Sequence, residues 1–292
     1  MKGQSERLAP VMRNIETKVS RRKLVAQTLP VSLLAPAFSA KVKPVVESDI
    51  PVQTADGVCD AALFCPRRGT HPGVIMWPDS GGLREAFREL GRRVAAQGYV
   101  VLLPNHLYRS AHPPLFPPGF DPPNRQADRE TYSRVTKSFF VPGAVERDAV
   151  AYASFLDARQ EVKKGRKLGA IGYCLGGMCV MKTAAVLPSR IGAGVSLHGG
   201  LLVTSRPDSP HLSIPKMNAR FYFAVASNDD EQEPTVKDLL RDAFAKAKVR
   251  AEVQVFPDAL HGWCVPDNRA FSNTAAVQLA WSKTMALLKN AL

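Results

Sequence analysis

The run Leu168-Gly169-Ala170-Ile171-Gly172-Tyr173-Cys174-Leu175-Gly176-Gly177 constrains what this chain can fold into more than any other stretch. An apolar segment of strand length runs into glycines placed around one cysteine, and a helix-like pattern follows. A backbone that turns directly from strand to helix holds the corner residue in strained dihedrals. The residues two before and two after it must then be nearly free of side chain, so that strand and helix can approach. Gly172 and Gly176 meet that demand around Cys174. The run therefore reads as a nucleophile elbow with cysteine at its tip. The helix dipole favours a thiolate there, and the amide of Leu175 faces the place where an oxyanion would develop. The competing reading is a structural cysteine buried beside a glycine-rich turn. The two differ in whether the rest of the chain supplies a base, an orienting acid and a pocket.

From residue 45 onward, apolar runs alternate with helical periodicity, the pattern of a mainly parallel central sheet flanked by helices. Residues 52–57 and 61–66 suggest an opening hairpin, and 73–77, 99–104, 168–173, 193–198, 219–225 and 251–256 read as further strands. Helices are expected over 83–97, 131–140, 143–159, 233–248 and 268–288, with another after the elbow. Six prolines between Ala111 and Asn124 mark a loop, either a surface excursion or a flap over a site. With 292 residues, 45% of them hydrophobic, the chain can bury one sizeable core, so residues 41–292 are expected to form a single α/β domain.

An elbow of this kind requires an acid after a later strand and a histidine after the last one. Asp229 and Asp230 follow the 219–225 strand, and His261 follows the 251–256 strand. Both positions fall at carboxyl ends of strands, where ligand crevices open in α/β sheets. A thiol is mostly protonated at neutral pH and needs a base, which points to His261. One aspartate must accept the ring N–H to fix the tautomer; Asp229 is preferred and Asp230 is the alternative. Trp77, Tyr108, Trp263 and Phe116 are placed either to line an apolar pocket or to fill the core. His198 closes a strand, where it is either a satisfied structural histidine or a neighbour of the site.

With the elbow Gly172-Tyr173-Cys174-Leu175-Gly176-Gly177 and the turn His261-Gly262-Trp263 in place, residues 45–292 resemble the dienelactone hydrolase family of α/β hydrolases. Residues 74–83 and 99–109 carry the likeness further. The resemblance implies hydrolysis of a small ester or lactone, as by a carboxymethylenebutenolidase. Its triad would be a Cys174 nucleophile, His261 as general base and acid, and Asp229 as orienting carboxylate, with no metal or organic cofactor. It also implies that Asp79 contacts the resting thiol, where relatives carry Glu. The amide of Ser80 would join that of Leu175 in the oxyanion hole, and Arg109 would bind a substrate carboxylate. A second arginine expected four residues after the histidine is replaced by Val265.

The formal charge of +13 is spread over presumptive helices and loops without a nucleic-acid motif, so a small-molecule substrate is expected in place of a nucleic acid. A basic protein binding anionic polymers and a redox-responsive thiol protein on the same fold are the competing functions. Cys59, Cys65, Cys174, Cys179 and Cys264 show no zinc-type spacing. Their odd number leaves at least one thiol unpaired, although Cys59 and Cys65 are candidates for a bridge in an oxidising compartment. Residues 1–40 read as a leader. Ser20-Arg21-Arg22-Lys23 precedes a short apolar stretch that ends in Pro36-Ala37-Phe38-Ser39-Ala40, which resembles a twin-arginine export signal and predicts a periplasmic or secreted protein. An amphipathic helix on a cytoplasmic protein is the alternative, and the apolar run is too short for a stable membrane anchor.

Overall fold

Continuous apolar runs with no polar alternation become the inner strands of one sheet in the computed structural model, which describes residues 43–117, 125–268, 270–271 and 274–292. The chain order is β1 (Val45–Thr54), β2 (Gly57–Pro66), β3 (Gly73–Trp77), α1 (Glu85–Ala96), β4 (Val100–Pro104), α2 (Gln126–Thr136), α3 (Ala144–Ala158) and β5 (Leu168–Tyr173). Then come α4 (Gly176–Val186), β6 (Ile191–Leu197), β7 (Arg220–Ala226), α5 (Ser227–Gln232), α6 (Val236–Ala247), β8 (Ala251–Phe256) and α7 (Thr274–Ala291). The eight strands lie in the order β1-β2-β4-β3-β5-β6-β7-β8. The β1–β2 and β2–β4 pairs are antiparallel and all others parallel. Every residue of β3, β4, β5 and β6 is buried, as expected of parallel strands covered on both faces. This is an α/β-hydrolase fold.

Two apolar layers close the sheet. On one face α3, α4 and α6 contribute Tyr152, Met181, Leu240 and Phe244, while on the other α1 and α7 contribute Phe87, Leu90, Val94, Ala280 and Leu288. The chain places β4 on one side of β3 and β5 on the other, so the direction of winding reverses at β3. A crevice opens at the carboxyl end of such a switch point. The elbow stands there.

Several elements depart from expectation. The opening hairpin is longer, with β1 paired to β2 along all of Val45–Thr54. The helix expected at 131–140 begins at Gln126 and tightens into a 3-10 turn over Lys137–Phe140. Residues 227–232, for which no helix was expected, form α5; six polar residues carry too little hydrophobic periodicity to announce one. The last helix begins at Thr274, later than expected. Cys59 and Cys65 are free, and a bridge between them is geometrically excluded. They stand six residues apart on the extended β2, about 20 Å at 3.3 Å per residue, far beyond disulfide reach. The leader, residues 118–124 of the proline-rich loop, and positions 269, 272 and 273 lie outside the described residues.

Steric closeness at the β5–α4 corner yields a test. A β-carbon on Gly172 would lie 2.1 Å from the Gly176 carbonyl oxygen, whereas one on Gly165 would meet nothing within 4 Å. Gly172→Ala is expected to destabilise by about 3 kcal/mol or more. Gly165→Ala, with only a positive φ to oppose it, should cost about 1 kcal/mol. Urea midpoints measured side by side decide the comparison.

Candidate active site

Strand β5 delivers Cys174 to the corner with φ +51°, in the left-handed region that a side chain rarely adopts. Hydrogen bonds on both sides hold it there. Its N–H donates to the Leu197 carbonyl at 3.1 Å, and its own carbonyl accepts from Gly177 and Gly200, each at 2.9 Å. A β-carbon on Gly176 would lie 2.4 Å from the Trp77 carbonyl oxygen, so the start of α4 is pressed against the end of β3. That contact brings the Pro78-Asp79-Ser80 segment beside the elbow. Among the described residues the amides of Leu175 and Ser80 serve as donors in none of the turn, loop or capping hydrogen bonds.

The histidine arrives on the loop after β8. Ser227 donates its N–H to the Ala259 carbonyl at 2.9 Å, and the N–H of His261 donates to Asn228 Oδ1 at 2.8 Å, so the exits of β7 and β8 are tied together. Helix α5 then presents Asp229 to the imidazole, whose Nδ1 lies 2.9 Å from Oδ1 and 2.8 Å from Oδ2. A carboxylate can only accept, so the proton sits on Nδ1 and leaves Nε2 for the thiol. Asp230 turns the other way, with both oxygens on Lys237 Nζ at 2.7 and 2.9 Å. The structure thus brings Asp229 to His261 and gives Asp230 a different partner.

Burial alone would push the His261 imidazole down. The charge and hydrogen bond of the Cys174 sulfur, together with the Asp229 carboxylate, overcome it and hold the ring well above its ordinary value. Cysteine, histidine and aspartate therefore form one contiguous chain of interactions across three loops. Chemically, such a chain can move a proton from thiol to imidazole.

Tyr132, on α2, is a site residue that sequence reasoning missed. Burial raises its hydroxyl's pKa; a hydrogen bond with Ser80 opposes the rise, and the charges of Cys174 and Asp79 add to it. Its ring stacks on Phe116 at a centroid distance of 6.1 Å. Nothing in the periodicity of the weakly amphipathic α2 distinguishes this tyrosine from Tyr99 or Tyr222; only docking of α2 over the crevice does so.

Several expected site residues are committed elsewhere. Asp79 does not turn to the thiol: Oδ1 and Oδ2 accept from Arg84 at 2.6 and 2.9 Å, and Oδ1 also accepts the Gly81 N–H. Arg84 is shared in turn with Asp267. One methylene shorter than Glu, the aspartate closes a local turn before reaching the sulfur. Arg109 is likewise unavailable to a substrate carboxylate. Its guanidinium donates to both oxygens of the buried Asp148 at 2.7 and 2.8 Å, donates to Asp56, and lies over the Tyr108 ring. Tyr108 itself is interior, hydrogen-bonded to Thr54 and Asp148. Trp77 and Trp263 are both fully buried, one against Tyr152 and the other against Phe256 and His198, so neither lines an open pocket. Their size and apolarity suit the core, which outweighs their nearness in sequence to the site. His198 packs against His261, the second of the two placements open to it, with neither ring nitrogen partnered among the described residues. No group of three or more His, Cys, Asp or Glu side chains among the described residues is placed to hold a metal ion.

Comparisons with known proteins agree on the scaffold. The family described as "Dienelactone hydrolase family" matches residues 59–292. A Synechocystis sp. protein provisionally named carboxymethylenebutenolidase is 28% identical over 227 residues, covering 77% of this chain and 88% of its own length. One of the same provisional name from Escherichia coli is 25% identical over 224 residues, 76% of this chain and 78% of its own. Among solved structures, a Klebsiella pneumoniae protein provisionally titled a dienelactone hydrolase superposes with a TM-score of 0.71 at 19% identity. It covers 85% of this chain and 99% of that one. The dienelactone hydrolase of Anabaena variabilis gives 0.60 at 18% identity, with 85% and 99% covered.

Titration, stability and kinetics probe this geometry. In Cys174→Ala, His261 loses the partner that raises it most, so its titration, read by imidazole NMR, should move to lower pH, and Asp229→Asn should lower it too. The protonated ring stabilises the fold below its unfolded-state value near 6.5 and loses that contribution as pH rises through the higher folded value, so wild type should lose stability over this window and His261→Gln should not. Breaking the buried pair with Arg109→Met is expected to cost about 3 kcal/mol of stability while leaving KM for carboxylated and neutral esters in unchanged ratio.

Proposed function

Because this chain belongs to the dienelactone hydrolase family and is a hydrolase of the ester and lactone type, we propose that it cleaves its substrate by acyl transfer through a thioester on Cys174. The observation that carries this reading is the His261 ring held between Asp229 and the Cys174 sulfur. His261 takes the thiol proton, and the thiolate attacks the ester or lactone carbonyl. The amides of Leu175 and Ser80 receive the oxyanion. Collapse of the tetrahedral intermediate breaks the carbon–oxygen bond, and the imidazolium returns its proton to the leaving alkoxide. A water then gives its proton to His261 and its oxygen to the thioester carbonyl, and the acid is released with the thiolate restored. Asp229 keeps the ring in the tautomer and orientation that both half-reactions require.

The substrate is read as a small ester or lactone without an obligatory carboxylate. Arg109 is engaged by Asp148 and Asp56, and the position after the histidine turn where a further cation would stand is the buried Val265. The order of basic, apolar and small residues over 20–40 supports export to the periplasm or beyond. No helix among the described residues is long and apolar enough to cross a membrane.

Purified protein is expected to hydrolyse aryl esters and unsaturated lactones. Cys174→Ala and His261→Ala should each lower kcat/KM by about 10³ or more, and Asp229→Asn by about 10² to 10⁴, with Asp230→Asn within about twofold of wild type. Equal rates in wild type and Cys174→Ala would sink the thioester mechanism. Cell fractionation that finds only full-length protein in the cytoplasm would do the same for export.

A further inference from the structure

His198 follows β6 directly, at φ +40°, with its N–H held by the Ala224 carbonyl at 2.8 Å. The backbone thus pins the residue in a conformation that disfavours large side chains, and only 1% of it is exposed. Burying an imidazole ordinarily demands partners for its nitrogens, and leaving them unmade carries a desolvation penalty. Yet neither Nδ1 nor Nε2 has a partner among the described residues. What surrounds the ring is aromatic. His261 lies 4.8 Å away between centroids at 70°, Trp263 5.4 Å away at 61°, and Tyr173 6.0 Å away at 58°. Phe or Leu would fill this space with no polar penalty, so a purely space-filling role does not account for histidine here.

We propose that His198 is a positioning residue for the catalytic base: a buried, neutral ring packed edge-to-face with the His261 imidazole, which stabilises its protonated form. The proposal rests on Cys174 and His261 working as the nucleophile and base described above. It gives the tilted stack a task. When His261 takes the thiol proton, its positive ring meets Asp229 at Nδ1, the sulfur at Nε2 and the aromatic ring of His198 at 4.8 Å between centroids, and an aromatic ring within about 6 Å can attract a cation. A second charged histidine there would repel it. Burial, reinforced by the charge of His261, holds His198 well below its ordinary value and so keeps it neutral. The other titratable groups facing this pair are Cys174 from the elbow, Asp229 from α5 and Tyr173 from β5. With Asp229 on one edge and His198 beneath, the imidazole has little freedom to rotate away from the sulfur.

The test is alkylation of Cys174 by iodoacetamide as a function of pH, located by mass spectrometry, because it reads the thiolate–imidazolium pair without any substrate. The full-length wild type sets the reference profile. His198→Phe, which keeps an aromatic face, should stay within about twofold of it. His198→Leu, and His198→Met should the first fail to fold, should react about three- to tenfold more slowly at pH 6 and converge with wild type near pH 9. The same variants should lower kcat on an aryl ester with KM unchanged. Leu and Met variants that match Phe and wild type would overturn the proposal, as would a Phe variant as slow as Leu. A Cys174 as reactive in His261→Ala as in wild type at every pH would instead overturn the nucleophile and base assignment on which it rests.

Discussion

Gly172 and Gly176 lie so close at the junction of β5 and α4 that no β-carbon fits on either: Gly172 faces the Gly176 carbonyl, and Gly176 faces the carbonyl of Trp77. The rest of the site hangs on this contact. It throws Cys174 into a left-handed conformation at the crest of the sheet, and it draws the end of β3 against the start of α4, so that the amides of Ser80 and Leu175 stand on the two loops beside the sulfur. The same closeness places the elbow at the point where the sheet reverses its winding, the one place where two adjacent strands send their following loops apart and leave room for a substrate.

Around that corner, charge is arranged so that little of it is idle. Asp79 is matched to Arg84, Arg109 to Asp148 and Asp56, and Asp230 to Lys237. The remaining carboxylate, Asp229, is the one aimed at the histidine. A reactive ion pair is easily quenched or misdirected by a mobile neighbour of either sign. With the nearby charges paired to one another, the His261 ring has two polar partners among the described residues, the Cys174 sulfur and Asp229. Beneath it the surroundings turn aromatic, through His198 and Trp263, which gives the imidazole a firm floor without a competing hydrogen bond.

Much of the scaffold was legible because its signals are local. Strands β3, β4 and β8 and helices α1 and α3 fall within a residue or two of where periodicity and terminal glycines put them, since a strand buried on both faces must be uniformly apolar and an amphipathic helix must repeat. Helix α5 was illegible for the opposite reason: Ser227–Gln232 is short, polar and stabilised by its stitching to the β8 loop, which no local pattern records. The contacts that the family resemblance implied for Arg109 and Asp79 are not the ones they make. An arginine suits any carboxylate, and only the fold reveals that Asp148, thirty-nine residues further along the chain, is the one it meets.

The order of glycine, cysteine, aspartate and histidine along the chain determined the fold class and the three residues that converge, because an elbow cannot form without its glycines and each partner must follow a strand. Tertiary structure alone decided which aspartate meets His261, which arginines are already taken, that Tyr132 comes near Ser80 and Cys174, and that His198 packs against His261 with neither ring nitrogen partnered among the described residues. Those choices depend on side-chain directions fixed by packing between segments far apart in sequence, where residue identity specifies a capacity to interact but not the partner.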